Sequence, residues 1–221
     1  RMRTLDDKVV VITGAASGIG RATAVEAAGR GAHLAVSDVN ETGLAETVDL
    51  LKAAGARTVR SDRLDVSQRE EITAYASAVA DQFGRVNVVV NNAGVSMTGN
   101  FSKLTYEQME WIVDINFWGV VNGTKEFLPH LIDSGDGHVV NISSLFGLIS
   151  MPGQTLYNST KYAVRGFTEA IREEMLVAGA PVGVSCVHPG GIRTGISRNG
   201  RKTLGSDADA IDRLFEEKLA K

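Results

Sequence analysis

The sequence predicts an α/β fold: a doubly wound parallel sheet with helices on both faces. Three observations predict it. Short apolar runs such as Val9-Val10-Val11-Ile12 suit strands buried on both sides. These runs alternate with helix-length segments of ten or more residues, the pattern of right-handed βαβ units. Glycines close those segments at Gly29 and Gly31, at Gly55, at Gly84, and at Gly179 before Pro181.

In order, Val9–Ile12 is the first strand and Ile19–Gly29 the first helix. His33–Ser37 is a strand, Glu41–Ala54 a helix, and Thr58–Arg60, reaching toward Leu64, a weaker strand. Ser67-x-x-Glu70 reads as a capping box opening the next helix. Val86–Val90, His138–Ser143 and Val182–Val187 are the fourth to sixth strands. The expected strand order is 3-2-1-4-5-6, in a single domain spanning 1–221. Thr105-x-x-Gln108 is a second capping box, opening a helix after strand 4. On that helix Ile112 and Val113 can face the sheet, while Trp111, Ile115 and Trp118 form a second stripe. That stripe is either extra core under a loop or an oligomer interface. The last long helix runs from about Tyr157 to Ala178.

Composition narrows the function. A net charge of −3 offers nothing to phosphate backbones or anionic lipid, so no nucleic-acid or membrane role is expected. Neither a signal peptide nor a membrane span is legible. The lone Cys186 sits in an alternating strand pattern that suits a reducing cytoplasm. His33, His130 and His138 have no metal-ligand spacing, and no metal is expected.

The turn Thr13-Gly14-Ala15-Ala16-Ser17-Gly18-Ile19-Gly20 joins a strand to a helix. Its glycines let the backbone approach a pyrophosphate, which the helix N-terminus then attracts. Gly14, Ser17, Gly18, Ile19 and Gly20 are therefore candidate cofactor contacts. Eighteen residues on, Asp38 ends strand 2, where a carboxylate accepts from ribose hydroxyls and repels a 2′-phosphate. This favours NAD(H) over NADP(H); the alternative is a solvated Asp opening a turn. Tyr157 and Lys161 are four residues apart and share a helix face, with Ser144 just past strand 5. The ends of strands 1, 4, 5 and 6 converge on one rim, the place where ligands sit in such sheets.

Taken together, Thr13-Gly14-x-x-x-Gly18-Ile19-Gly20, Asn91-Asn92-Ala93-Gly94, Asn116, Ser144, Tyr157-x-x-x-Lys161 and Pro189-Gly190 resemble the short-chain dehydrogenase/reductase family, a Rossmann-type fold. The resemblance spans about residues 6–195. It implies an NAD-dependent enzyme moving a hydride between the nicotinamide and a secondary alcohol or ketone. Tyr157 would be the general acid/base, Lys161 would lower its pKa and hold the nicotinamide ribose, and Ser144 would donate to the substrate oxygen. Asn116 would hold a water of a proton relay; a polar surface role is the alternative. Asp65 and Val66 would meet adenine, and Asn92, Ala93 and Gly94 the adenosine side. Pro189 and Gly190, with Ile192 and Thr194, would flank the nicotinamide. The family assigns His188 no chemistry, and it reads as structural.

The family commonly adds a seventh strand after Lys221, so a truncated chain without that strand is expected, with 195–221 a mobile substrate loop and helix. By position Ser96, Met97, Leu145, Phe146, Met151, Gln154 and Gly191 line the pocket, which favours an uncharged or apolar substrate. A homodimer or homotetramer is implied, built on helices 111–131 and 157–178. A non-catalytic NAD(H)-sensing protein is the alternative function. It has no need of the Ser144/Tyr157/Lys161 set.

Overall fold

A computed structural model describes residues 4–192, 196 and 200–202. Strand β1 (Val9–Thr13) lies at the centre, paired in parallel with β2 (His33–Asp38) and β4 (Val88–Asn91). Its side chains alternate between two cores. Val11 joins Val79, Val89 and Phe127 on one face of the sheet. Val10 and Ile12 join Leu34, Leu44 and Leu51 on the other. A strand apolar at each of its first four positions, Val9 to Ile12, is what two covered faces require.

Helices α1 (Gly18–Gly29) and α2 (Glu41–Ala53) cover the second core. Helices α3 (Arg69–Phe83), α5 (Gly119–Asp133) and α6 (Thr155–Val177) cover the first. Between α3 and α5, helix α4 (Tyr106–Val113) follows β4. Outward from the centre, β3 (Val59–Arg63) pairs with β2, and β6 (Gly137–Ile142) lies between β4 and β7 (Val182–Val187). The six-stranded parallel sheet runs β3-β2-β1-β4-β6-β7. This is the expected 3-2-1-4-5-6 arrangement, with labels displaced by one unforeseen short strand, β5 (Met97–Thr98). Strand β5 pairs with β8 (Arg201–Lys202) in a separate two-stranded ribbon. The chain thus has a seventh strand by count, Val182–Val187, and residues 203–221 lie outside the described residues.

Two local expectations are corrected. Ser67 does not cap α3. Its amide and hydroxyl both donate to Asp65 Oδ1, at 3.0 and 2.7 Å, and Gln68 occupies the N-cap without a side-chain bond. Asp65 turns the Ser67 hydroxyl toward itself, and Ser67 Oγ accepts from the Gln68 side-chain amide at 3.0 Å rather than from the helix backbone. The tryptophan stripe is also split. Residues Asp114–Trp118 form a π-helical turn between α4 and α5, and this wider turn shifts the helical phase of α5 relative to α4. Trp111 packs near Tyr157, Ile115 packs on the main core, and Trp118 is 48% exposed. The capping box at Thr105 and Gln108 forms reciprocally. Among the described residues, no helix is long and apolar enough to cross a membrane.

Candidate active site

The carboxyl end of β1 opens into a cradle that only glycine permits. Gly14 has φ +66°, and a Cβ there would lie 2.7 Å from Ala93 Cα. A Cβ on Gly20 would strike the Gly14 carbonyl and come 2.6 Å from Asn92 Nδ2. That amide donates to the carbonyls of Thr13 (2.9 Å) and Gly14 (3.0 Å). Thr13 Oγ1 returns the bond by accepting from the Asn92 and Ala93 amides, each at 3.1 Å. The turn after β1 and the turn after β4 are therefore one unit. Ser17 and Gly18 begin α1 with no side-chain cap, so its first turn presents backbone donors of the kind that bind phosphate. These observations fit a dinucleotide whose pyrophosphate lies against Gly14–Gly20.

Asp38 stands at the rim of this cradle. Its Oδ2 accepts from the Ala16 amide and its Oδ1 from the Asn40 amide, both at 2.9 Å. It both opens a turn and braces the glycine-rich loop. Sequence reasoning missed Arg21, whose guanidinium donates to Thr47 Oγ1, Gly43 O and Glu46 Oε2 (each 2.9 Å) and to Ala16 O. A basic residue directly after the last glycine of the turn was the available signal. Asp65 and Val66 follow β3 at the same end of the sheet; Asp65 is turned toward Ser67, and Val66 is packed under Gly119.

The second half of the site lies beyond β6 and on α6. Ser144 is extended, and its Oγ accepts from the Phe146 amide at 3.1 Å while the hydroxyl bonds to Tyr157. Tyr157 is buried edge-on against Phe146, ring centroids 6.2 Å apart. Lys161, four residues along α6, is 3% exposed and donates from Nζ to Ile142 O at 3.1 Å. Its own carbonyl accepts from Ser143 Oγ at 2.8 Å. Asn116 is fully buried, not a surface residue. Its Oδ1 accepts from the Val95 amide (2.8 Å) and its Nδ2 donates to the Val95 carbonyl (2.9 Å). The π-helical turn is what delivers it there. A Cβ on Gly94 would lie 3.2 Å from Asn116 Oδ1 and 3.5 Å from Lys161 Nζ, so the three residues converge.

Burial governs the titrations. It pushes the Tyr157 phenol above its ordinary value, against the opposing bond from Ser144. It pushes Lys161 down to about 8, against a smaller opposing effect from Cys186. In the protein alone Tyr157 is thus raised, because desolvation outweighs the Ser144 hydrogen bond.

Around Tyr157 lies an apolar cluster with Met97, Ile112 and Phe146 at its centre and Trp111 and Met151 at its edge. Ser96 is buried and accepts from the Arg201 amide (3.1 Å), and the Arg201 guanidinium lies 3.9 Å from the Trp111 ring centroid. Gln154 is buried with an unpaired Oε1, Leu145 bonds to Pro189 O, and Gly191 is exposed. Ile192 is exposed and bonds back to Gly190, whereas Thr194 lies outside the described residues. Sequence reasoning also missed the buried polar chain Thr124–Asn91–Asn141–Thr168 that ties α5, β4, β6 and α6 together. Polar residues inside strands were its only trace.

The sequence profile of the short chain dehydrogenase family matches residues 8–205. A Mycobacterium tuberculosis protein assigned as the oxidoreductase SadH is 57% identical over 219 residues, 99% of this chain and 79% of that protein. A crystal structure of a short chain dehydrogenase/reductase from Burkholderia phymatum, in complex with NAD, aligns with TM-score 0.91 and 36% identity. That alignment covers 100% of this chain and 82% of the other. Levodione reductase aligns with TM-score 0.83 and 33% identity, over 88% of this chain and 75% of its own. The chain belongs to the short-chain dehydrogenase/reductase family and is an NAD(P)-dependent oxidoreductase.

Proposed function

We propose that this protein oxidises an uncharged secondary alcohol, or reduces the matching ketone, with NAD(H) as cofactor and Tyr157 as general acid/base. The observation that carries the reading is the convergence of Ser144, Tyr157, Lys161 and Asn116 beside the glycine-rich cradle. Gly14, Ser17, Gly18, Ile19 and Gly20 hold the pyrophosphate, Asp38 the adenosine ribose, and Asp65 and Val66 the adenine. Asn92, Ala93 and Gly94 support the adenosine side; Pro189, Gly190, Ile192 and Thr194 flank the nicotinamide. When bound, NAD supplies the acceptor or donor of the hydride exchanged with the carbinol carbon.

The chain's own residues manage the proton. In oxidation the Tyr157 phenolate takes the hydroxyl proton of the alcohol; in reduction the Tyr157 phenol returns it to the ketone oxygen. Ser144 is oriented by the Phe146 amide, and its hydroxyl, which bonds to Tyr157 in the protein alone, turns its proton to the substrate oxygen when substrate is bound. The positive charge of Lys161 favours the phenolate over the phenol. Asn116, fixed to Val95, holds the solvent connection to Lys161.

Preference for NAD(H) is supported by the Asp38 carboxylate at the ribose rim and by Arg21, whose guanidinium is already engaged by four acceptors including Glu46. The apolar setting of Tyr157 supports an uncharged substrate. Both halves of the site rise from one sheet, which supports reading the chain as a single domain. Exposed Trp118 (48%) and Tyr162 (40%) support a homodimer or homotetramer through the helices that carry them. The test is reduced-cofactor formation over a panel of uncharged secondary alcohols, with NAD⁺ and NADP⁺ side by side. Turnover with NAD⁺ is expected. Turnover confined to NADP⁺ contradicts the assignment of Asp38, and turnover confined to anionic sugars contradicts the substrate class.

A further inference from the structure

His188 lies between the last sheet strand and the Pro189-Gly190 turn, outside the set of groups that handle the proton. Its ring is half-buried, and Nδ1 lies 3.0 Å from the Ser144 carbonyl oxygen. A carbonyl only accepts, so Nδ1 carries the proton and donates. The same oxygen accepts from the Gly147 amide at 2.8 Å, which fills both of its lone pairs. The Ser144 backbone is therefore fixed from two directions, by its own 3₁₀ turn and by a side chain from the neighbouring loop.

The surroundings explain why a side chain is needed there. The β6–β7 ladder ends at Ile142 and Val187, but two rungs continue beyond it. The Ser143 amide donates to Val187 O and the Leu145 amide to Pro189 O, each at 2.8 Å. Pro189 has no N–H to return, so the backbone cannot supply the next reciprocal bond. The imidazole provides a donor from the same stretch of chain.

We propose that His188 is a positioning residue. It locks the Ser144 loop to the loop that begins Pro189-Gly190, so that the hydroxyl meeting the substrate oxygen and the backbone flanking the nicotinamide move as one body. The inference rests on the assignment of Ser144 to the substrate oxygen. It separates His188 from a proton carrier, because the Nδ1–H bond is present in both the neutral and the protonated ring. It also separates His188 from a general stabiliser, because its effect must pass through Ser144.

The experiment is a double-mutant cycle on the full chain, with NAD⁺ and whichever alcohol of the panel turns over fastest. His188→Ala should lower kcat by about tenfold, the scale of a small misplacement of a reacting group, with the KM for NAD⁺ unchanged. His188→Asn, which offers an N–H at the position of Nδ1, should recover most of the loss. In the Ser144→Ala background, His188→Ala should change kcat by less than about twofold, since residues acting as a unit are not additive. Thermal melting and NADH binding of each variant check folding. Losses that multiply across the two sites overturn the inference and leave the assignment of Ser144 intact. Failure of His188→Asn to recover activity in a folded, NADH-binding protein also overturns it. A Ser144→Ala protein with near-normal kcat instead overturns the assignment of Ser144, and the inference with it.

Discussion

Lys161 holds its ammonium 5.7 Å from the ring centroid of Tyr157, with both side chains buried. A cation over the phenol face is attracted to the ring and favours its ionised form. Burial acts the other way on both groups, and in the protein alone burial dominates. The pair is poised for proton transfer at a cost in stability, and that cost depends on pH.

That dependence has a defined sign. Lys161 is lowered from 10.5 to about 8 in the folded protein. Between these values the unfolded chain retains a proton that the folded protein has released, so rising pH favours the folded state. From pH 8 to 10 the gain is on the order of 2–3 kcal/mol. Above about 10 the raised phenol of Tyr157 opposes it, because ionisation there favours the unfolded chain. Denaturant unfolding of wild type and Lys161→Met should therefore diverge in favour of wild type between pH 8 and 10. Parallel curves across that window contradict the burial of a charged Lys161.

Activity should follow the same proton in opposite directions. Oxidation requires the Tyr157 phenolate and should rise with pH; ketone reduction requires the phenol and should fall. Initial rates in both directions from pH 6 to 10 check this. Profiles that rise together contradict a single acid/base group.

Asp38 should govern cofactor choice. Asp38→Ala removes the acceptor for the ribose and the brace on the Ala16 amide. The expected outcome is a loss of at least about tenfold in kcat/KM with NAD⁺, the scale of one lost charge-assisted hydrogen bond, and a smaller change with NADP⁺. An unchanged NAD⁺/NADP⁺ ratio contradicts the role.

Asn116 ties the π-helical turn to the backbone after β4. Asn116→Ala leaves the amide and carbonyl of Val95 without those bonds, a loss of about 3 kcal/mol. For a chain of this size that lowers Tm by roughly 6–12 °C. A shift under about 2 °C on thermal melting means that the turn re-forms its bonds elsewhere.

The parts legible in the sequence were those set by short-range rules. The apolar run of β1, the glycines that stop α1 and α3, and the Thr105 capping box each need only a few neighbouring residues. The four-residue spacing of Tyr157 and Lys161 placed them on one helix face for the same reason. What stayed hidden depends on distant partners. Ser67 satisfied the pattern of a cap, but its hydroxyl turns to Asp65 and its oxygen accepts from the Gln68 side chain. Trp111, Ile115 and Trp118 satisfied the spacing of a stripe, but a π-helical turn intervenes, held open by the bond of Asn116 to Val95 across 21 positions of sequence. Arg21 bonds to residues 22 and 25 positions away, and no local pattern announces that.

If Tyr157 carries the proton, removing its hydroxyl must abolish turnover and spare the cofactor site. Wild type and Tyr157→Phe are compared for reduced-cofactor formation from the best alcohol of the panel, beside NADH binding by fluorescence. The expected result is a loss of turnover of at least about a hundredfold, the scale of a lost general acid/base, with NADH affinity within about twofold of wild type. A folded, NADH-binding Tyr157→Phe protein that still turns over at a comparable rate would contradict the assignment.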